Sequence, residues 1–171
     1  GIDPQAVPPA WRRNTWLAPL LPPPVPQGYV LLCPNTANPM RDMPAWVQAL
    51  ILDRLGQRHL EVRSQASLSP ARTLPELCAL VGGARLVVSA DTAMVHLADA
   101  MGVRCLAFFT THDPAWRVRD YPLCTAVHVR PSGLPPALEF PRSAAYIAAA
   151  QTAWDSFGAA AIERALAVLL E

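Results

Sequence analysis

The sequence predicts an α/β fold, a compact doubly wound parallel sheet of about five strands with a C-terminal helical segment. Two observations carry this. Short apolar runs alternate with stretches of helical spacing, which is the pattern of strand–helix–strand units. The runs are also continuous rather than alternating: Arg85-Leu86-Val87-Val88 and the run 104–109 read as strands covered on both faces.

Each element follows from local chemistry. Residues 1–28 are Pro-rich and read as a linker or extended strap, because proline lacks an N–H and cannot join a sheet interior. Trp11, Trp16 and Leu17 are large for a linker; they either pin the strap to the domain or face an absent upstream domain. Residues 29–171 form the single domain. Tyr29 to Cys33 is the first strand, ended by Pro34. Pro44 to Leu55 is a helix, with Pro44 in its first turn and Gly56 beyond its end. Leu60 to Arg63 is a short strand, and Leu74 to Val81 a helix ended by Gly82-Gly83. Strand 85–89, helix 92–101 with Gly102 as its stop, and strand 104–109 follow. Ala126 to Val129 closes the sheet, and prolines 131, 135, 136 and 141 make a loop. Ser143 to Glu171 is Ala-rich helix interrupted at Gly158, with Ile162, Ala165, Leu166, Leu169 and Leu170 as its apolar stripe.

Composition narrows the function. Charged residues make up 16% of the chain and the net charge is +1, so there is no electrostatic footprint for nucleic acid or an anionic membrane. Every basic side chain apart from histidine is Arg; a catalytic lysine is excluded. The four cysteines are far apart in apolar runs, which predicts buried, reduced thiols in a cytoplasmic protein and no zinc site. No signal peptide or transmembrane segment is read, and a start at Gly1 rather than Met suggests a domain cut from something larger.

The sheet's carboxyl edge is where such folds bind ligands. Three strand-to-helix corners fall there: Pro34 to Arg41, Asp91-Thr92-Ala93, and Thr110 to Pro114. The middle corner turns a strand into a helix and presents backbone N–H groups and the positive end of a helix dipole, a geometry for phosphate. Thr92 either binds a phosphate oxygen with the amides of Ala93 and Met94, or simply caps the helix, which stabilises by about 1 kcal/mol. Asp91 is expected to cap amides or hold a neighbouring loop. His96 either reaches a phosphate or sugar hydroxyl or is a buried core histidine. Arg41 either donates to a diphosphate or is an exposed arginine paired with Asp42. Asp99 is expected to be solvated or capping, His112 and Asp113 to be loop residues, and His59 and His128 to lie at strand edges.

The stretch from Leu74-Pro75-Glu76-Leu77 through Asp91-Thr92-Ala93-Met94-Val95-His96-Leu97-Ala98 to Phe108-Phe109 resembles the C-terminal half of glycosyltransferase family 9, the bacterial ADP-heptose:lipopolysaccharide heptosyltransferases. The resemblance spans roughly positions 29 to 130. It implies a GT-B donor domain holding a nucleotide-diphospho-sugar such as ADP-heptose. The implied donor site comprises Asn35, Thr36, Arg41, Glu76, Asp91, Thr92, Ala93, His96, Thr110 and Thr111, with Glu76 as a ribose contact. No cofactor or metal is implied. The acceptor site and catalytic base belong to an absent N-terminal domain or partner chain, with a homodimer as one way to supply them. No residue here is therefore assigned a catalytic role, and the chain alone should not transfer sugar.

The departures cluster at the site. Glycines of the family pattern are replaced by Asn35, Ala93 and Thr110, and the segment from Arg54 to Leu74 is short by about one strand–helix unit. These losses favour an alternative reading, a degenerate transferase domain serving as a non-catalytic interaction or structural module.

Overall fold

The computed structural model describes residues 6–20, 25, 27–64, 73–133 and 143–170. Prolines 22–24, 26, 135, 136 and 141, part of the shortened segment (65–72) and Glu171 lie outside them.

Five strands form one parallel sheet in the order β2-β1-β3-β4-β5. They are β1 (Tyr29–Cys33), β2 (Val62–Ser64), β3 (Ala84–Ala90), β4 (Cys105–Phe109) and β5 (Cys124–His128). Between and after them run α1 (Ala45–Gly56), α2 (Leu74–Gly83), α3 (Ala93–Met101), α4 (Ala144–Phe157) and α5 (Ala159–Leu170). β1, β4 and all but one residue of β3 are buried, as both-face coverage requires.

Strand alternation sends side chains to two cores. Leu31, Cys33, Val87, Ala107 and Phe109 meet α2 and α3 on one face. Val30, Leu32, Val88, Leu106 and Phe108 meet α1, α4 and α5 on the other. Trp154 is fully buried against Phe108, and Ile162, Leu166 and Leu169 of α5 enter the same core. The C-terminal stripe thus docks on this domain. Gly158, at φ +80, separates α4 from α5 in a conformation few L-residues adopt.

Boundaries differ from expectation where turns intervene. β2 begins later than expected, because α1 runs through Gly56 and a turn follows in which His59 is left-handed at φ 54. His59 is therefore a turn residue and not a strand edge. β5 begins earlier, at Cys124, directly after the turn at Tyr121. Gly82 and Gly83 close α2 from within, and Gly83 is needed for contact: a Cβ there would sit 3.0 Å from the Tyr29 hydroxyl, which donates to the Leu80 carbonyl.

The strap is attached, but not by its tryptophans, which are 81% (Trp11) and 65% (Trp16) exposed. Polar contacts hold it. Arg12 pairs with Asp120, and Arg13 donates to the buried carboxylate of Asp99 at 2.8 Å. The Asn14 amide N–H donates to the other Asp99 oxygen, and its side chain donates to the Tyr121 hydroxyl. Leu17 packs on the α2–α3 core. Asp99 is thus an anchor for the strap rather than a solvated residue, because burying a carboxylate demands partners.

Truncating Leu166 to Ala should lower unfolding stability by about 2–5 kcal/mol. A urea midpoint equal to wild type would show that α5 does not belong to the core.

Candidate functional site

In the order 2-1-3-4-5 the connections leave β1 and β3 in opposite directions, which opens a crevice at their carboxyl ends. A cavity of about 630 Å³ lies there. Its walls come from the segment after β1 (Asn35, Thr36, Ala37, Arg41), from the β3–α3 corner (Asp91, Thr92, Ala93, His96) and from the segment after β4 (His112, Arg117).

Asp91 joins the three walls. Its carboxylate accepts from His112 Nδ1 at 2.8 Å and lies 3.5 Å from the Arg41 guanidinium. Arg41 also donates to the Asp91 carbonyl at 2.6 Å. The carboxylate, the imidazole and the guanidinium are largely buried, so each needs the others. Arg41 is therefore not an exposed partner of Asp42. Asp42 turns to its own loop and accepts the Thr36 amide at 2.7 Å.

Thr92 caps α3. Its hydroxyl oxygen accepts the Met94 amide at 3.1 Å and meets the Ser89 hydroxyl at the same distance. The Met94 amide is thus already satisfied within the protein, and of the expected phosphate donors Thr92 and Ala93 line the cavity. The positive end of the α3 dipole faces it, and Arg41 with Arg117 outweighs the single carboxylate in formal charge.

His96 lies one turn into α3. Its Nδ1 meets the Tyr121 hydroxyl at 2.7 Å, and Tyr121 is the residue Asn14 of the strap also binds. Burial lowers the His96 pKa; Asp91 and Asp99 oppose this, and Arg117 reinforces it.

Of the ten residues expected at the site, seven surround this one cavity. Three do not line it. Glu76 opens α2, where its carboxylate accepts from the Thr73 amide at 2.7 Å in a reciprocal cap. Thr110 is buried and its hydroxyl donates to the Met40 carbonyl at 3.0 Å, tying the end of β4 to the first corner. Thr111 is buried and its carbonyl accepts from the Tyr146 hydroxyl. Among the described residues only His59 combines a side chain with positive φ, so Asn35, Ala93 and Thr110 stand without the left-handed backbone a glycine would serve.

His112, expected as a loop residue, and Arg117, which no motif marks, also line the cavity. The available signal was position: ionisable residues that immediately follow a fully apolar strand stand at the ligand-binding edge.

These features define a Rossmann-like α/β domain of the GT-B glycosyltransferase kind. The chain belongs to glycosyltransferase family 9 (heptosyltransferase), whose model matches residues 30–123, more than half its length and all three walls of the cavity. No curated protein gives a significant match. Among solved structures, the iron-containing heptosyltransferase TibC of E. coli, in complex with ADP-D-β-D-heptose, is similar at TM-score 0.61 and 10% identity, over 88% of this chain and 47% of that one. E. coli ADP-heptose lipopolysaccharide heptosyltransferase II is similar at TM-score 0.60 and 14% identity, over 84% and 46%. E. coli heptosyltransferase WaaC with ADP is similar at TM-score 0.53 and 17% identity, over 63% and 39%. The chain thus spans less than half the length of each. Among the described residues no helix is long and apolar enough to cross a membrane.

Replacing Asp91 with Ala should cost about 3 kcal/mol, since it strands a buried guanidinium and a buried imidazole; unchanged thermal stability would contradict the joining role. A second expectation concerns pH. Burial holds the pKa of both His96 and His128 below the usual value of about 6.5. The unfolded chain therefore binds more protons than the folded one in the window below about 6.5, and stability should fall as pH drops through it. The double variant His96→Gln/His128→Gln should lose less stability than wild type between about pH 8 and about pH 5. Equal losses in urea titrations would remove these two residues as the cause.

Proposed function

We propose that the cavity binds the nucleoside diphosphate of a nucleotide-sugar donor resembling ADP-heptose, and that the chain is the donor half of a family 9 glycosyltransferase. The observation that carries this is the cavity itself: it sits at the switch point, beside a helix N-terminus and two guanidinium groups, within the segment the family model matches. Its volume is in the range of small-molecule sites. The crevice remains open beside Ala93 despite the missing corner glycine. Structures of two similar proteins contain ADP or ADP-heptose, which supports the choice of ligand class.

The chemistry is electrostatic. Transfer of the sugar leaves charge on the departing diphosphate, and the α3 N-terminus with Arg41 and Arg117 stabilises it. The acceptor site and the base that activates the acceptor hydroxyl lie outside this chain, in a further domain or a second copy, so the chain alone transfers no sugar. The four free cysteines support a reducing, cytoplasmic setting.

One observation favours the alternative, a non-catalytic module. Asp91 faces the cavity and pairs with Arg41, so part of the positive charge is balanced before any ligand arrives.

Titration calorimetry with ADP, UDP and GDP separates the two. The donor reading expects one nucleotide to bind, with affinity reduced about tenfold by Thr92→Val or Arg41→Ala. A folded chain that binds none of the three supports the module.

A further inference from the structure

We propose that His112 is a positioning residue that holds Arg117 as a phosphate-binding guanidinium, so that a side-chain clamp replaces a backbone anion cradle at this site. The proposal rests on the donor-binding reading above.

A backbone cradle for phosphate needs successive amides turned inward, commonly through an αR-αL pair. The three corners lack it. None of their described residues is glycine, and none has positive φ. One inward amide, that of Met94, is already taken by Thr92. Anion affinity must then come largely from side chains, and with no lysine in the sequence that means arginine.

Arg41 is anchored through Asp91, which also diminishes its effective charge. Arg117 has no carboxylate among its described hydrogen bonds; its terminal nitrogen meets His112 Nε2 at 3.4 Å. A guanidinium only donates, so Nε2 accepts and the ring proton sits on Nδ1, where Asp91 takes it. The His112 side chain is buried, and its 2.8 Å contact with Asp91 orients the ring. Asp91–His112–Arg117 is thus a chain with a fixed direction of donation: Arg117 gives to the ring, and the ring gives to the carboxylate.

The imidazole matters because it is a neutral acceptor. A carboxylate in its place would hold Arg117 but cancel its charge. An apolar residue would leave an exposed arginine to sample its rotamers, at an entropic cost when a ligand orders it. The neutral ring orients the guanidinium and leaves its charge and remaining donors for the diphosphate.

The test uses the whole chain and ADP as the probe. Arg117→Ala and His112→Leu should each weaken ADP binding by about tenfold to a hundredfold. The double variant should be no weaker than the weaker single variant, since both act through one contact. His112→Gln should recover part of the loss, because an amide can donate to Asp91 and accept from Arg117 at once. Side-chain ¹⁵N NMR should find His112 in the Nδ1–H tautomer. Should His112→Leu fail to fold, the tautomer and the comparison of Arg117→Ala with His112→Gln decide alone. ADP binding that ignores Arg117, additive losses in the double variant, or an Nε2–H tautomer overturns the positioning role while leaving the donor site intact. A wild-type chain that binds no ADP overturns both.

Discussion

The carboxylate of Asp91 is the contact on which the ligand edge of this domain depends. A buried carboxylate without partners is costly, and the chain meets that demand with groups from two other segments. The loop after β1 and the loop after β4 have little regular structure of their own. Each sends one cation or hydrogen-bond donor to the end of β3, and so the crevice acquires fixed walls. Thr110 adds a second tie between the same two loops through the Met40 carbonyl. The scaffold supplies the edge; these few polar contacts give the edge a shape.

The two cores explain why the edge is so placed. Alternating side chains of β1, β3 and β4 satisfy α2 and α3 on one face and α1, α4 and α5 on the other. With both faces covered, the loop-built carboxyl ends of the strands become the place for a site. The short helices that close the second core also give the domain its own C-terminal cover, so α5 completes the hydrophobic interior here.

Much of this was legible in the sequence. Continuous apolar runs marked the buried strands, and Gly102 and Gly158 marked the helix ends where left-handed geometry is found. Seven of the ten residues expected at the site line one cavity, because the corners of a parallel sheet converge on one edge regardless of loop detail. What stayed hidden was the pairing. Nothing local says that Arg41 turns from Asp42, its neighbour in sequence, to Asp91 fifty residues away. Nor does anything local say that His112 is buried or that Asp99 anchors the strap. Each is decided by where an unsatisfied charge finds its nearest opposite in three dimensions. Glu76 shows the reverse case, a residue expected at the ligand whose local sequence, a Thr three positions earlier, assigns it to a helix cap.

Among its described residues the strap is fastened by two ion pairs, the Asn14 hydrogen bonds and the packing of Leu17. Arg12 and Arg13 reach Asp120 and Asp99, Asn14 reaches Tyr121, and the tryptophans stay in water. The more exposed of the two pairs, Arg12–Asp120, responds to ionic strength more than the buried Asp99 carboxylate does, since mobile ions screen exposed charges over about 8–10 Å under ordinary conditions. Concentrated salt should therefore weaken the Arg12 tie first, while the contacts to Asp99 hold. The Asn14–Tyr121–His96 contacts join the strap directly to one wall of the crevice.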